Sequence, residues 1–217
     1  MSAKTASAVE KDNRIPPRAR ILAAAADLFY RHGIRAVGVE AIAEAAGTNK
    51  MTLYRHFASK DELVAEYLRQ WANTVDQCWN RFARAHPGDP LAQLGAWLAE
   101  MAEHLTAPNE RGCALANAAI ELAEKDHPAR RVIEEFKRAQ RMQLVRLSEA
   151  AGLDDPETLA DELHLLLEGA RVTAQSVGTE GLAARLLRMG KAMIAAHKPR
   201  HRLRRGSTHD AGNILLR

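Results

Sequence analysis

The sequence predicts an all-α protein of about nine helices, a small three-helix head followed by a larger helical body. Three observations predict it. Ala and Leu are abundant, aromatics make up 5% of the 217 residues and β-branched runs are absent, a composition that favours helix over strand. Apolar residues recur at i, i+4, i+7 and i+8 in segment after segment. Pro and Gly fall where helices start and stop rather than inside them.

Residues 1–15 are small and polar with scattered charge, which predicts an arm without structure. Its Lys4, Lys11 and Arg14 are either solvated or placed to touch phosphates or a minor groove. The first helix is predicted from Pro17 to His32, with Pro at the first position and Gly33 just past the end. Ile21, Leu22, Ala25, Leu28 and Phe29 form its buried stripe. A second helix, Val39 to Ala46, starts after Gly38, a cap without a hydroxyl, and stops at Gly47, which lets the chain turn sharply. A third runs from Lys50 to Phe57 with Asn49 as N-cap. Leu53 and Phe57 face inward, and Lys50, Met51, Tyr54 and Arg55 share the outer face. Tyr54 also reads as a half-buried anchor, and His56 as a surface residue or a phosphate donor. Two short helices joined by a tight Gly turn make a helix-turn-helix, whose second helix enters the DNA major groove.

The fourth helix opens with Ser59 and Glu62, a capping box, and extends to about Ala85. Lys60 lies at its N-terminus, where free N–H groups and the helix dipole favour an anion such as phosphate. The breaker His86-Pro-Gly-Asp-Pro90 follows. A fifth helix starts at Pro90 behind Asp89 and carries Leu91, Leu94, Leu98, Met101 and Leu105. The sixth spans about Cys113 to Glu124, the seventh Pro128 to Ala150, the eighth Pro156 to Val177 and the ninth Glu180 to His197. The last two carry more apolar surface than one side of a monomer needs. Leu163, Leu167, Ala170, Ala174, Leu186 and Met193 are therefore expected at a homodimer interface, a four-helix bundle made by two copies. The basic stretch 198–217 lacks periodicity and is expected to be a flexible tail. The domains read as 16–62 for the head and 63–197 for the regulatory and dimerisation body.

Charge is unevenly placed. Ten Lys/Arg stand against five Asp/Glu over residues 1–60, 15 against 21 over 61–197, and six against one over 198–217. A basic head on an acidic body points to a polyanion at one end. No apolar run reaches the 18 or so residues of a membrane span, and the first residues lack the apolar core of a secretory signal. The two cysteines, Cys78 and Cys113, are too few for a disulfide framework, so a reduced cytoplasm is the expected compartment. No nucleophile elbow, phosphate loop, dinucleotide fingerprint or metal-spaced His pair occurs; no enzyme activity, cofactor or metal is expected.

Ile42-Ala43-Glu44-Ala45-Ala46-Gly47, Leu53-Tyr54-Arg55-His56-Phe57 and Ser59-Lys60-Asp61-Glu62-Leu63 resemble the N-terminal domain of the TetR/AcrR family of bacterial transcriptional regulators. The resemblance covers about residues 18–64. It implies an Ω-shaped homodimer on a palindromic double-stranded DNA operator, most simply a repressor, released when a small molecule binds the body. It also implies that Lys50, Thr52, Tyr54 and His56 contact DNA and that Lys60 binds phosphate. With their neighbours Thr48, Asn49, Met51 and Arg55 they make the expected DNA site. Three positions depart from the family pattern: Gly38 where a hydroxyl residue is usual, Thr48-Asn49 for Val-Ser, and Met51 for a small residue. Polar groups on otherwise apolar helices, Trp97, His104, Asn117, Glu121, His164, Arg171 and Gln175, with Met101, are the expected lining of an effector pocket. The alternative function is a regulator that ignores ligands, or a DNA-organising protein.

Overall fold

A computed structural model describes residues 15–108 and 110–199. The expected arm and tail lie outside the described residues, apart from Ile15, Lys198 and Pro199. The described residues form nine helices: α1 Pro17–His32, α2 Val39–Ala45, α3 Lys50–His56, α4 Lys60–Ala85, α5 Pro90–His104, α6 Ala114–Glu121, α7 Pro128–Ala150, α8 Pro156–Ser176 and α9 Leu182–Ala196. The fold is all-α, as the composition predicts.

Local chemistry explains most boundaries. Pro occupies the first turn of α1, α5, α7 and α8, where its missing N–H is not needed. The side chains of Asn49, Ser59 and Asp89 each accept a hydrogen bond from a first-turn backbone N–H, at 2.9, 3.0 and 2.9 Å. The capping box at α4 is displaced by one residue on its return side: Glu62 Oε2 accepts from Ala58 N at 2.7 Å. Gly47 turns between α2 and α3 with φ +61°, a left-handed conformation that side chains disfavour. The sixth helix stops three residues earlier than its composition suggests, and the chain leaves it at Leu122 in a non-helical conformation.

Two apolar cores form. The first gathers α1, α2, α3 and the start of α4, and includes Ile21, Phe29, Ile42, Leu53, Phe57, Leu63 and Leu68. It continues without a break into Leu115 and Ala118 of α6 and Ile133 and Phe136 of α7. The second holds the far half of α4 with α5, the end of α7, α8 and α9. The expected boundary at 62/63 therefore cuts through a core rather than between two. Helix α4 belongs to both: Leu63, Val64 and Leu68 are buried at its head end, Trp79 and Phe82 at its body end.

Most of the residues expected at a dimer interface are covered by the chain itself. Leu163, Leu167, Ala170 and Leu186 are buried within the chain's own second core, with Ala174 and Met193 packed against it. The apolar surplus of α8 and α9 is consumed by α5, α7 and each other. At Gly190 the approach is so close that an added Cβ would lie 2.6 Å from Leu98 Cδ2. The large apolar residues that α8 and α9 leave exposed are others: Leu165 (70%), Val172 (65%) and Met189, with Val177 just past the end of α8.

Candidate nucleic-acid interface and body cavity

Leu53, fully buried, and Phe57 pin α3 to the head, and the guanidinium of Arg18 lies 5.0 Å from the Phe57 ring centre. With that face inward, Asn49, Lys50, Met51, Tyr54 and Arg55 are exposed, and Thr48 and Thr52 are half-buried. Met51 is 84% exposed, an uncommon setting for a methionine. Tyr54, at 42%, resolves toward the surface rather than the core. The Lys50 ammonium pairs with Glu40 of α2 at 2.6 Å, and this contact holds the Glu40 carboxyl below, and the Lys50 amine above, their ordinary pKa values. The Asn49 carbonyl oxygen is committed to its cap, leaving the amide NH2 to meet another molecule.

Two of the expected phosphate donors face elsewhere. Lys60 turns inward: its Nζ donates to the Ile34 carbonyl at 2.7 Å and lies 5.9 Å from the Phe29 ring centre. Burial lowers its pKa. It borders a polar cleft with Asp61, Asp126 and His127 at the seam between head and body. His56 is half-buried and its Nε2 is sealed from solvent, so a phosphate contact through that nitrogen requires the ring to turn.

The body contains a cavity of about 190 Å3 between α4, α5, α7, α8 and the loop after α5. Trp97, Met101, His104, His164 and Arg171 line it, as the sequence suggests. Asn117, Glu121 and Gln175 do not; they border a separate cleft at the head–body seam. Each makes a structural contact there. Asn117 donates to the Arg111 carbonyl at 2.7 Å and Gln175 to the Glu110 carbonyl at 2.9 Å. Glu121 accepts from the Arg35 backbone N–H at 3.0 Å, and its carboxylate would lie 3.0 Å from a Cβ at Gly33, which has φ +87°. Leu167, assigned above to a dimer, is cavity wall.

Sequence reasoning missed much of the lining: Trp71, Trp79, Cys113, Phe136, Lys137, Gln140 and Glu168. The available signal was a lysine and a glutamine, Lys137 and Gln140, beside the apolar stripe Val132, Ile133, Phe136 and Leu144 of α7. Trp79 stacks near Trp97, with ring centres 6.0 Å apart and planes 11° from parallel, and donates to Gln140 Oε1 at 3.1 Å. Glu168 accepts from both Lys137 and Arg171 at 2.8 Å. Burial works to raise the Glu168 pKa, but the Lys137 hydrogen bond and the charges of Lys137, Arg171 and His164 outweigh it and hold the carboxyl low. Burial, reinforced by Lys137 and Arg171, lowers the His164 pKa.

The loop between α5 and α6 ties this cavity to the head. Glu110 and Gly112 line the cavity, and Tyr30 of α1 donates to Glu110 Oε1 at 2.8 Å and lies 3.2 Å from the Gly112 carbonyl. The Tyr30 oxygen accepts from Arg111 N at 2.8 Å. Its ring stacks on Trp71, another wall residue, at 5.3 Å.

Comparison with known proteins decides the family. Residues 21–67 match the family described as bacterial regulatory proteins, tetR family. A TetR transcriptional regulator from Streptomyces avermitilis is 31% identical, with a TM-score of 0.72 over 84% of this chain and 98% of that one. The chain belongs to the TetR family. A second TetR-family regulator, from Streptomyces coelicolor, has a TM-score of 0.79 at 26% identity over 84% of this chain and 96% of that one. Among curated relatives, the transcriptional repressor KstR2 of Mycobacterium tuberculosis is 48% identical over 52 residues, 24% of this chain and 26% of that protein. The transcriptional activator FasR of Mycolicibacterium smegmatis is 37% identical over 68 residues, 30% of this chain and 31% of that one. The chain thus matches less than a third of the length of either curated relative. As a TetR-family protein it is a DNA-binding transcriptional regulator rather than an enzyme. No helix among the described residues is long and apolar enough to cross a membrane.

Proposed function

We propose that this TetR-family regulator is a homodimeric, cytoplasmic repressor of a palindromic operator, released when a small molecule enters the body cavity. The observation that carries the reading is the pair Glu110 and Gly112, which line the cavity and also meet the Tyr30 hydroxyl of the DNA-binding head. A ligand pressing on Glu110 or Trp71 acts directly on the partners of α1. Base reading falls to the exposed outer face of α3, with Met51 free to meet a thymine methyl and the Asn49 amide a base edge. Lys50 and Tyr54 supply phosphate contacts, Lys50 after exchanging Glu40 for the backbone. The dimer forms through the face of α8 and α9 that carries Leu165, Gly169, Val172 and Met189, because most other large apolar residues of these helices are wholly or partly covered.

The test is a mobility-shift titration of the full chain on the DNA upstream of its own gene, beside light scattering to give the oligomer mass. The expected result is salt-dependent, sequence-specific binding by a dimer and a monomer that cannot bind when Leu165 is changed to Arg. Equal affinity for any DNA, with dense genome-wide coverage, would support an architectural protein instead. Transcription that falls on deleting the gene would make the protein an activator.

A further inference from the structure

The polar end of the cavity is unusual in how its donors are used. Lys137 and Arg171 share one carboxylate, Glu168, so two cations face one anion and a positive charge is left over. Each cation directs a further donor at sulfur: Lys137 Nζ lies 3.9 Å from Cys113 Sγ, and Arg171 Nη2 lies 3.7 Å from Met101 Sδ. Sulfur is a weak acceptor. Both sulfurs belong to the cavity wall, so the two N–H groups point along its surface. His164 faces the same end and does not cancel the surplus. The other acid on the wall, Glu110, keeps its charge while accepting from the Tyr30 hydroxyl, so the surplus is local to the Lys137–Arg171 end of the cavity. The remaining wall is mostly apolar, dominated by Trp79, Trp97, Phe82 and Phe136, with Thr74, His104 and Gln140 as its polar members. A volume of about 190 Å3 is somewhat larger than a cavity of roughly 150 Å3 that takes benzene.

We propose that the effector is a single-ring aromatic carboxylate whose carboxylate replaces the two sulfurs as acceptor for Lys137 and Arg171 while its ring lies against the tryptophan wall. This deepens the ligand-release reading and rests on it. The carboxylate converts two weak N–H···S contacts into charge-assisted N–H···O bonds and neutralises the extra charge, so an isosteric amide binds at least about tenfold more weakly. The ring adds edge and face contacts that a saturated ring of similar volume lacks, roughly three- to tenfold in affinity.

All three tryptophans of the chain, Trp71, Trp79 and Trp97, line the cavity, so their fluorescence reports its filling. The full chain is titrated with benzoate, benzamide, benzylamine and cyclohexanecarboxylate, and benzoate and benzamide are repeated on Arg171→Met and Lys137→Gln. The wild type is expected to bind benzoate most tightly. Its preference over benzamide should fall below about threefold in either variant whose circular dichroism and DNA affinity without ligand match the wild type. Two variants keep the test decisive if one fails to fold. Equal binding of benzamide, or tighter binding of benzylamine, overturns the proposal and leaves the ligand-release reading standing. If none of the four probes changes fluorescence or releases DNA at millimolar concentration, the proposal fails, and the ligand-release reading is then judged by whether any molecule that shifts the tryptophan fluorescence also releases DNA.

Discussion

Tyr30→Phe isolates the contact that joins the DNA-binding head to the cavity wall. The substitution keeps the ring stack on Trp71 and removes only the hydroxyl. That oxygen has one proton, which goes to the Glu110 carboxylate at 2.8 Å rather than the Gly112 carbonyl at 3.2 Å, and it accepts from Arg111 N at 2.8 Å. Burial is the main reason the phenol pKa is raised, so the donor keeps its proton throughout the working pH range. A hydrogen bond to a charged acceptor contributes about 1.5–3 kcal/mol and a neutral one about 1 kcal/mol. The site is half-buried and Glu110 can turn to water, so the expected loss is about 2 kcal/mol. For a chain of this size that lowers the thermal midpoint by roughly 4–8 °C. The assay is thermal and urea unfolding of the wild type, Tyr30→Phe, Glu110→Gln and the double variant. The singles should couple by about 1 kcal/mol, because each removes part of the same bond. A midpoint shift under about 1 °C, or strictly additive losses, would refute the contact and with it the route from cavity to head.

Lys60→Ala should lower stability by about 1 kcal/mol through loss of the Ile34 bond and leave the salt dependence of DNA binding unchanged. A fall of about one in the log–log salt slope would instead show that the side chain swings out to a phosphate. Gly95→Ala and Gly190→Ala should have opposite signs. Nothing lies within 4 Å of a Cβ at exposed Gly95, so that change stabilises α5 by about 0.5–1 kcal/mol. At Gly190 the Cβ meets buried Leu98, and a loss of about 1–2 kcal/mol is expected from overpacking; urea midpoints read both. His164 should make the protein acid-sensitive. Its folded pKa is depressed, so below the ordinary value of about 6.5 the unfolded chain takes up the proton first and stability falls with falling pH. Thermal midpoints from pH 5 to 8 should flatten at the acid end in His164→Gln; an unchanged slope would place the ring in contact with water.

The sequence made the helices legible because their signals are local. Proline at first turns, capping side chains at Asn49, Ser59 and Asp89, and glycine at turns fix starts and stops without reference to the rest of the chain. The outer face of α3 was legible for the same reason, since Leu53 and Phe57 determine what points away. Long-range choices were not. Whether Leu163 and Leu186 cover another copy or their own chain depends on how closely α5 approaches α9 at Gly190, which no periodicity reports. Lys60 is similar: a helix N-terminus suits a phosphate, yet the Ile34 carbonyl, 26 residues away in sequence, lies within reach. The cavity was half visible, because polar residues on apolar helices mark seams of every kind. Asn117, Glu121 and Gln175 serve the seam between head and body, while Lys137 and Glu168 serve the cavity.

Helix α4, 26 residues and so about 39 Å long, sets a limit on modularity. Its first turns complete the core that encloses α1 to α3, and that core extends through Leu115 of α6 and Phe136 of α7. A chimera that carries residues 16–62 onto another body would strand Leu63, Val64 and Leu68 against foreign side chains. New DNA specificity is better transplanted as the outward face of α3 alone. There, Lys50, Met51, Tyr54 and Arg55 are exposed and can be exchanged while Leu53 and Phe57 keep the helix on its scaffold.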